Sequence, residues 1–318
     1  MEERKAPITN NPGRQGNYLQ NDGANPTLNL ELEIIDKPPM WNTSSFWDYT
    51  VDTNITYMTP TSSIDEMMKG QMKLTNLQKR MVIHKQPFAE GVFSKAYYAK
   101  ILPDRDSKTE FQVVLKALKK PQNKSFFSAV LKKNTFVTQL ADDYNKTLRH
   151  VCAAEDAKVF FVKVYVAKIN DQYYMVEPYI DGHFQKYTNN FDYVNENVPL
   201  LSAFSHFSYQ RTKKLFMVND LQGVNNILTD PGVHSVTKEF SHGDFGVQGM
   251  IVFFRNHVCN DYRRSLSLKG HTSQENQIEC NINRRDIVFN TKPTFDMCTT
   301  PLCNGRLYGN SKCSVCNL

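Results

Sequence analysis

The sequence contains no apolar run approaching the roughly 20 residues needed to cross a bilayer, and its first residues, MEERKAPITNN, lack the apolar core of a secretory signal. Its charge is only mildly biased, with 38 Lys and Arg against 32 Asp and Glu. Dedicated nucleic-acid binders are more densely basic. We therefore expect a soluble, non-secreted, cytoplasmic protein, with neither a membrane nor a nucleic acid as its partner.

Glycine is scarce where an ordinary protein kinase would carry its first phosphate loop, because Gly91 stands alone in PFAEGVF. VLK at 114–116, DFG at 244–246 and Asp286 in an Arg-Asp pair nevertheless look like ordinary kinase signatures. In ordinary kinases the catalytic-loop Asp precedes the DFG triplet, whereas Asp286 follows it here. The order of these motifs excludes an ordinary kinase.

Composition divides the chain into four regions. Residues 1–60, rich in Asn, Pro, Gly and Thr, are expected to be disordered or extended, and residues 61–270 to form the catalytic domain. A polar, weakly patterned stretch at 271–296 indicates a linker, and residues 297–318 form a cysteine-rich module. We found no internal repeat.

Apolar spacing within the catalytic domain predicts an α+β fold. Helical spacing occurs at residues 63–79, 125–150, 199–209 and 247–268. Strand-like runs occur at 92–101, 111–118, 159–169, 173–179 and 215–218. The segment Asn170-Asp171-Gln172 predicts a β-hairpin between two of these strands. A strand-rich half followed by a mixed half is typical of a two-lobed enzyme with a cleft, although many α+β domains share that pattern.

A more specific set of motifs follows one order along the chain. These are VEPYIDG at 176–182, KYTNN at 186–190, AFSHFSY at 203–209, VNDLQGV at 218–224, LTDP at 228–231 and HVCN at 257–260. In that order they resemble the alpha-kinases, the family of myosin heavy-chain kinases, the elongation-factor kinase and the channel-kinases. The resemblance covers about residues 80–270. It implies an atypical two-lobed kinase fold that transfers the γ-phosphate of ATP to Ser or Thr of a protein substrate.

The resemblance gives roles to three charged residues. It implies that Asp220, which follows an apolar strand, is the catalytic Asp, and that Lys116 reaches the ATP phosphates from its strand. It also implies that Glu177 belongs to the adenine-binding hinge. Taken without the family, Lys116 is equally a solvent-facing strand lysine and Glu177 an exposed turn acid.

Other residues are placed around the same nucleotide. The resemblance implies that Gln222 and Asp230 bind Mg²⁺, which requires oxygen ligands. It places the remaining cofactor-binding residues in the same cleft: Gly91, Lys186, Asn190, Gly243, Asp244 and Gly246.

The segment SHGDFG at 241–246 departs from the glycine-rich loop of the family, which carries Gly first and Asn where this chain has Asp244. A carboxylate there is expected to repel the acidic groups of a substrate or phosphate. Together with Arg263, which stands where the family has a zinc-ligating cysteine, this departure makes a catalytically weak, alpha-kinase-like scaffold whose terminal module binds protein the alternative function. The joint retention of Lys116, Asp220, Gln222 and Asp230 favours the active kinase.

The family's integral zinc site is matched at His206, His257 and Cys259, but Arg263 stands where the last cysteine ligand is expected. Structural zinc prefers four ligands. Three alternatives stay open: an empty site, a site completed by Cys280 or another residue, and replacement of the metal by packing and an arginine hydrogen-bond network.

The C-terminal cysteines form a second candidate Zn²⁺ site, with the spacing C-x₄-C-x₉-C-x₂-C. Its ligands would be Cys298, Cys303, Cys313 and Cys316. The module resembles the small A20-type zinc fingers, which suggests ubiquitin as a partner. Other zinc ribbons that bind protein or nucleic acid, and a tail without metal, remain alternatives. A zinc-dependent nucleic-acid binder is disfavoured by the mild net charge of +6.

Overall fold

The computed structural model describes residues 41, 47–58, 73–105, 108–151, 158–193, 198–240 and 243–269, together with the backbone of 307–308 and 312–313. Seven strands form one antiparallel sheet in the order β2-β1-β7-β8-β5-β4-β3. They are β1 (Trp47–Met58), β2 (Leu74–His84), β3 (Ala89–Glu90), β4 (Ser94–Ile101), β5 (Phe111–Leu118), β7 (Tyr165–Ile169) and β8 (Gln172–Pro178). Strand β2 also pairs with β4, which curls the sheet around an apolar core that includes Ile55, Met81 and Val113.

The predicted hairpin is confirmed between β7 and β8. Ile169 pairs with Gln172, and the two residues between them, Asn170 and Asp171, have φ of 47° and 64°. Asn and Asp tolerate this left-handed conformation better than other non-glycine residues, and it matches the twist of a two-residue hairpin. The hairpin fixes the register of β8 and therefore the position of Glu177 near its end.

A long helix, α1 (Lys124–Val151), covers the junction between the sheet and the rest of the domain, as predicted at 125–150. Two asparagines on it hold the segment before β7. Asn134 bonds the backbone of Val162 and Val164, and Asn145 bonds both backbone groups of Val159 at 2.8 Å. These amides satisfy buried backbone groups that no strand partner reaches.

The second half of the domain consists of short strands and three helices. A four-stranded sheet joins β6 (Phe160–Phe161), β12 (Ile227–Thr229), β11 (Gln222–Val224) and β9 (Gln185–Lys186), and β10 (Phe216–Asn219) pairs with β13 (Gly232–Ser235). The helices are α2 (Pro199–Arg211), α3 (Gly246–Asn256) and α4 (Asp261–Ser265). Every residue of α2 from Leu201 to Tyr209 is buried, so this helix lies inside the domain.

The N-terminal region differs from the sequence predictions in two places. Residues 47–58, expected to be disordered or extended, form the regular strand β1, because Trp47, Val51 and Ile55 belong to an alternating pattern that the polar composition obscured. The helix expected at 63–79 is a strand from Leu74 onward. Of the apolar residues behind that prediction, Leu74 and Leu77 lie in β2, where a spacing of three residues places them on opposite faces of the strand. The remaining residues of that expected helix lie outside the described parts.

The helix predicted at 247–268 is also interrupted. Helix α3 ends at Asn256, and the backbone turns extended at His257. Asn260 then caps α4 by accepting a hydrogen bond from the Arg263 N–H. Within the described residues, no helix is both long enough and apolar enough to cross a membrane.

Candidate active site

Lys116 and Glu177 form the centre of the cleft. Val114 pairs directly with Glu177 across β5 and β8, so Lys116, two residues further along, projects from the same face of the sheet. The Lys116 Nζ lies 2.8 Å from Glu177 Oε1 and 3.9 Å from Asp230 Oδ2. Burial lowers the pKa of Lys116, but the attraction of both carboxylates outweighs it, and the net effect raises that pKa. Lys116 is therefore held charged and is not a solvent-facing lysine.

Glu177 is buried, with 4% of its surface exposed, so the exposed-turn alternative is wrong. Its Oε2 accepts a hydrogen bond from the Thr229 hydroxyl, while Oε1 holds Lys116. This carboxylate therefore orients the lysine. Sequence reasoning missed the role of Thr229, which belongs to the LTDP motif at the end of β12, because its contact with Glu177 joins residues 52 positions apart.

Asp220 lies directly after β10, at the strand end where it was predicted, and has a left-handed φ of 51°. Gly232, opposite Asn219 in β13, makes room for it. A Cβ on Gly232 would lie 2.1 Å from Asn219 Oδ1 and 3.0 Å from Asp220 Cβ. The N–H of the next residue, Leu221, donates to the Thr188 hydroxyl at 2.8 Å, which fixes the turn.

The Asp220 carboxylate lies beside Lys186, whose Nζ is 3.1 Å from Oδ1. Within the described residues this oxygen is buried, and Lys186 is its charged partner. Burial raises the pKa of Asp220; the repulsion of Asp230 adds to that rise, and Lys186 and Lys133 oppose it. The net effect is a raised pKa, which makes this carboxylate a stronger proton acceptor than an ordinary Asp.

Asp230 and Gln222, the expected Mg²⁺ ligands, are adjacent. Strand pairing places Gln222 opposite both Thr229 and Lys186, and its Nε2 donates to the Asp230 carbonyl at 3.4 Å. The attraction of Lys116 lowers the pKa of Asp230, whose side chain is 57% exposed. An ionised, solvent-facing carboxylate beside an amide is a donor set that suits Mg²⁺.

Asp244 contradicts the expectation that its carboxylate faces a phosphate or substrate. It is buried and accepts hydrogen bonds from the N–H groups of Ser235, Phe240 and Gly246 and from the Ser235 hydroxyl. The carboxylate therefore holds the loop onto β13 and the first residue of α3, where the helix dipole favours negative charge. Asp244 maintains the shape of this loop and presents no charge to the cleft.

The two glycines of this loop have left-handed backbones, with φ of 91° at Gly243 and 64° at Gly246. A Cβ on Gly243 would lie 3.2 Å from Asn190 Nδ2, so the loop passes close to the predicted cleft residue Asn190. Gly91, by contrast, lies in the turn between β3 and β4, where its N–H donates to the Ser94 carbonyl. Among the hydrogen bonds of the described residues, none joins Gly91 to Lys116, Lys186 or Asp220.

His234 is a buried residue that sequence reasoning missed. Its Nδ1 accepts from the Phe245 N–H at 3.1 Å, and its Nε2 lies 3.0 Å from the Asn190 carbonyl. The ring therefore carries its proton on Nε2. Burial lowers the pKa of His234 to about 4, against the attraction of Asp244. A Cβ on Gly249 would lie 2.3 Å from this ring, so a glycine in α3 is required there.

The three residues matched to the integral zinc site lie together. One ligand atom each from His206, His257 and Cys259 fall within 4.8 Å of one another. His206 Nδ1 lies 3.1 Å from His257 Nε2, and Ser202 Oγ lies 2.8 Å from the other His257 ring nitrogen. Two imidazoles and a thiol are a donor set that fits Zn²⁺. The break between α3 and α4 brings Cys259 to the two histidines.

The remaining zinc predictions lie mostly outside the described residues. These include Cys280 and the terminal Cys298, Cys303 and Cys316. Near the terminus the backbone forms β14 (Leu307–Tyr308) and β15 (Lys312–Cys313), an antiparallel pair in which Leu307 faces Cys313. This hairpin contains the third cysteine of the expected module.

Comparison with known proteins shows similarity to one family. The sequence model of the alpha-kinase family matches residues 89–263. Myosin heavy chain kinase B of Dictyostelium discoideum is 30% identical over 210 residues, which are 64% of this chain and 28% of that protein. The chain spans between 14% and 33% of the length of the first curated relatives that it matches.

Solved structures show the same fold. An alpha kinase from Entamoeba histolytica has a TM-score of 0.63 and 23% identity, covering 73% of this chain and 95% of its own. The alpha-kinase domain of myosin-II heavy chain kinase A in complex with AMP-PNP has a TM-score of 0.58 and 23% identity, covering 70% of this chain and 97% of its own. Because the family match covers more than half of its residues, the chain belongs to the alpha-kinase family.

Proposed function

We propose that this chain is an atypical Ser/Thr protein kinase that transfers the γ-phosphate of ATP to a hydroxyl of a protein substrate. The observation that carries the proposal is the joined charge cluster of Lys116, Glu177 and Asp230 beside Asp220 and Lys186. Phosphoryl transfer requires cations around the triphosphate and a positioned acceptor. The cluster supplies both kinds of group.

In the proposed reaction the substrate hydroxyl oxygen attacks the γ-phosphorus, and the bond to the bridging oxygen of ADP breaks. The Asp220 carboxylate orients the hydroxyl and accepts its proton, while Lys116 contacts the phosphates, held by Glu177. Asp230 and Gln222 would hold Mg²⁺, which neutralises phosphate charge when it is bound. Lys186, next to Asp220, adds positive charge near the transferred group.

The scaffold alternative loses one of its two arguments. It rested on Arg263 in the integral zinc site and on an Asp244 carboxylate that would repel a phosphate, but that carboxylate is buried and bonded to the backbone of its own loop. A buried carboxylate whose charge is offset by these hydrogen bonds does not repel the phosphates of ATP. The ion pairs of Lys116 with Glu177 and of Lys186 with Asp220 support the active kinase.

The test is phosphorylation with Mg²⁺ and ATP, both of the chain itself and of a generic basic protein. We expect Asp220→Ala to lose at least about a hundredfold in rate. Asp52→Ala, at an exposed carboxylate on β1, is the matched control and is expected to match the wild type. Equal rates for the wild type and Asp220→Ala would exclude the proposed role of Asp220.

For the metals, we propose one Zn²⁺ at His206, His257 and Cys259, and a second at the four terminal cysteines. The proximity of the first three side chains and the spacing of the four cysteines support these sites. Metal content of the purified chain is the measurement. Two zinc ions per chain are expected, falling to one on deletion of residues 297–318 and to one in Cys259→Ser; a single zinc that the deletion removes would show that the inner site does not bind metal.

We further propose ubiquitin as a partner of the terminal module and the cytoplasm as the location of the chain. Both follow from sequence resemblance, the partner from the A20-like spacing of the terminal cysteines and the location from the match to the alpha-kinase family. A titration of ubiquitin into the zinc-loaded chain, with the 297–318 deletion as control, tests the partner. Equal binding to both proteins, or to neither, would contradict it.

A further inference from the structure

Three aromatic side chains near Asp220 are exposed. Phe191, Tyr193 and Phe245 have exposed fractions of 49%, 47% and 41%, and we call them the aromatic patch. The rings of Phe191 and Phe245 meet edge to face, with centroids 5.9 Å apart. Exposed large apolar side chains that occur together indicate a binding surface.

Two patch residues belong to a loop that is bonded to Asp220. The Asp220 N–H donates to the Asn189 carbonyl at 3.4 Å. The Asn189 side chain accepts from the N–H groups of Phe191 and Tyr193 at 2.8 and 2.9 Å. One asparagine therefore connects the backbone of the proposed catalytic Asp to the backbone of the patch.

His234 joins this loop to the third patch residue. It contacts the Asn190 carbonyl through Nε2 and the Phe245 N–H through Nδ1. The imidazole is wholly buried, and its neutral form is the one that makes both contacts. The relative positions of Phe191 and Phe245 are therefore fixed by the interior of the domain, although both rings face solvent.

The charge near the patch indicates which of the two substrates of a kinase, ATP or protein, the patch binds. The loop from Asn189 to Tyr193 contains Asp192 and no Lys or Arg. A nucleotide triphosphate is recognised by cations, and these lie at Lys116 and Lys186 instead. Lys238, whose side chain lies against Gly246, brings one cation near Phe245, but the three exposed rings themselves suit an uncharged apolar group.

We propose that the aromatic patch binds an apolar side chain of the protein substrate that flanks the phosphorylated Ser or Thr, and thereby selects the sequence that is phosphorylated. This inference rests on the proposed kinase function. An acceptor hydroxyl at Asp220 brings its neighbouring residues within reach of the adjacent loop, because an extended chain advances about 3.3 Å per residue. Burying one large apolar side chain there changes affinity about tenfold or more.

The test measures phosphorylation of a set of peptides that share one central Thr and basic ends for solubility. Each of the three positions on either side of the Thr is set in turn to Leu, Gln or Glu. For the full chain we expect one or more positions at which Leu exceeds Gln at least about tenfold in kcat/KM. In Phe191→Ser/Tyr193→Ser that preference is expected to fall to about twofold or less, through the KM for the peptide, with the KM for ATP unchanged. Leu74→Ser, at a 39% exposed leucine on the seven-stranded sheet, is the matched control and should retain the preference.

A second variant is expected to gain a new sequence preference, which misfolding cannot produce. Phe191→Lys places a cation in the patch and is expected to shift preference at the same position from Leu toward Glu. A wild type without a preference for Leu, or a preference unchanged in both patch variants, would overturn the inference while leaving the kinase proposal in place. Phosphorylation of the same peptides by Asp220→Ala at the wild-type rate would instead overturn the kinase proposal.

Discussion

The carboxylate of Asp244 receives hydrogen bonds from both the backbone N–H and the hydroxyl of Ser235, which lies at the end of β13. The same carboxylate also binds the N–H groups of Phe240 and Gly246. A residue that appeared in the sequence as a defect of the phosphate loop is therefore the group that folds the loop.

Removing this carboxylate should destabilise the domain. Asp244→Ala leaves three backbone N–H groups without their acceptor, and we expect a loss of about 3 kcal/mol in the free energy of unfolding. Chemical denaturation measures it. Asp52→Ala, at an exposed carboxylate, is expected to change the same quantity by less than about 0.5 kcal/mol. A loss of activity in Asp244→Ala with unchanged stability would contradict a structural role and favour a direct one.

The contact between Glu177 and Thr229 predicts an indirect effect on ATP binding. Thr229→Val removes the hydroxyl bonded to Oε2 but keeps the shape of the side chain. We expect the KM for ATP to rise about three- to tenfold, because Glu177 then holds Lys116 less firmly. Lys116→Met should lower kcat/KM for ATP by about a hundredfold or more. Steady-state kinetics at varied ATP compares the two, and an unchanged KM in Thr229→Val would show that Glu177 does not need this support.

The raised pKa of Asp220 predicts how activity depends on pH. If its ionised carboxylate accepts the substrate proton, activity falls as pH decreases through that pKa, at a pH above the ordinary value of 3.8. Lys186 opposes the rise, so Lys186→Met should move this limb of the pH–kcat profile to still higher pH. Lys168→Met, at a lysine paired with Asp171 on the far hairpin, should leave the limb in place. A limb that moves to lower pH in Lys186→Met would contradict the assignment.

The same pKa has a consequence for stability. A carboxyl whose pKa is raised by folding binds its proton more tightly in the folded state, so its ionisation at neutral pH opposes folding. Asp220→Asn is therefore expected to raise the Tm at pH 7 by roughly 2–4 °C while removing activity. The gain should shrink as pH falls toward the raised pKa. Thermal unfolding at pH 7 and pH 5 measures it, and a lower Tm for Asp220→Asn at pH 7 would contradict the cause assigned to the shift.

Much of this protein was determined by local sequence. Helix α1 and strand β5 follow from apolar spacing that a short segment contains in full, and the hairpin at Asn170 and Asp171 follows from residues that tolerate the left-handed turn. The placement of Asp220 at a strand end was likewise visible in the apolar run before it. These features need no distant partner to be specified.

Tertiary structure decided the rest, because partners far apart in sequence set the environment of each group. Only the pairing of β5 with β8 shows that Glu177 is buried against Lys116. Only the fold of β13 against α3 turns the Asp244 carboxylate inward, toward backbone donors, where sequence alone suggested a charge in the cleft. A carboxylate carries the same charge in any sequence, but its effect depends on whether water, a cation or a buried N–H surrounds it.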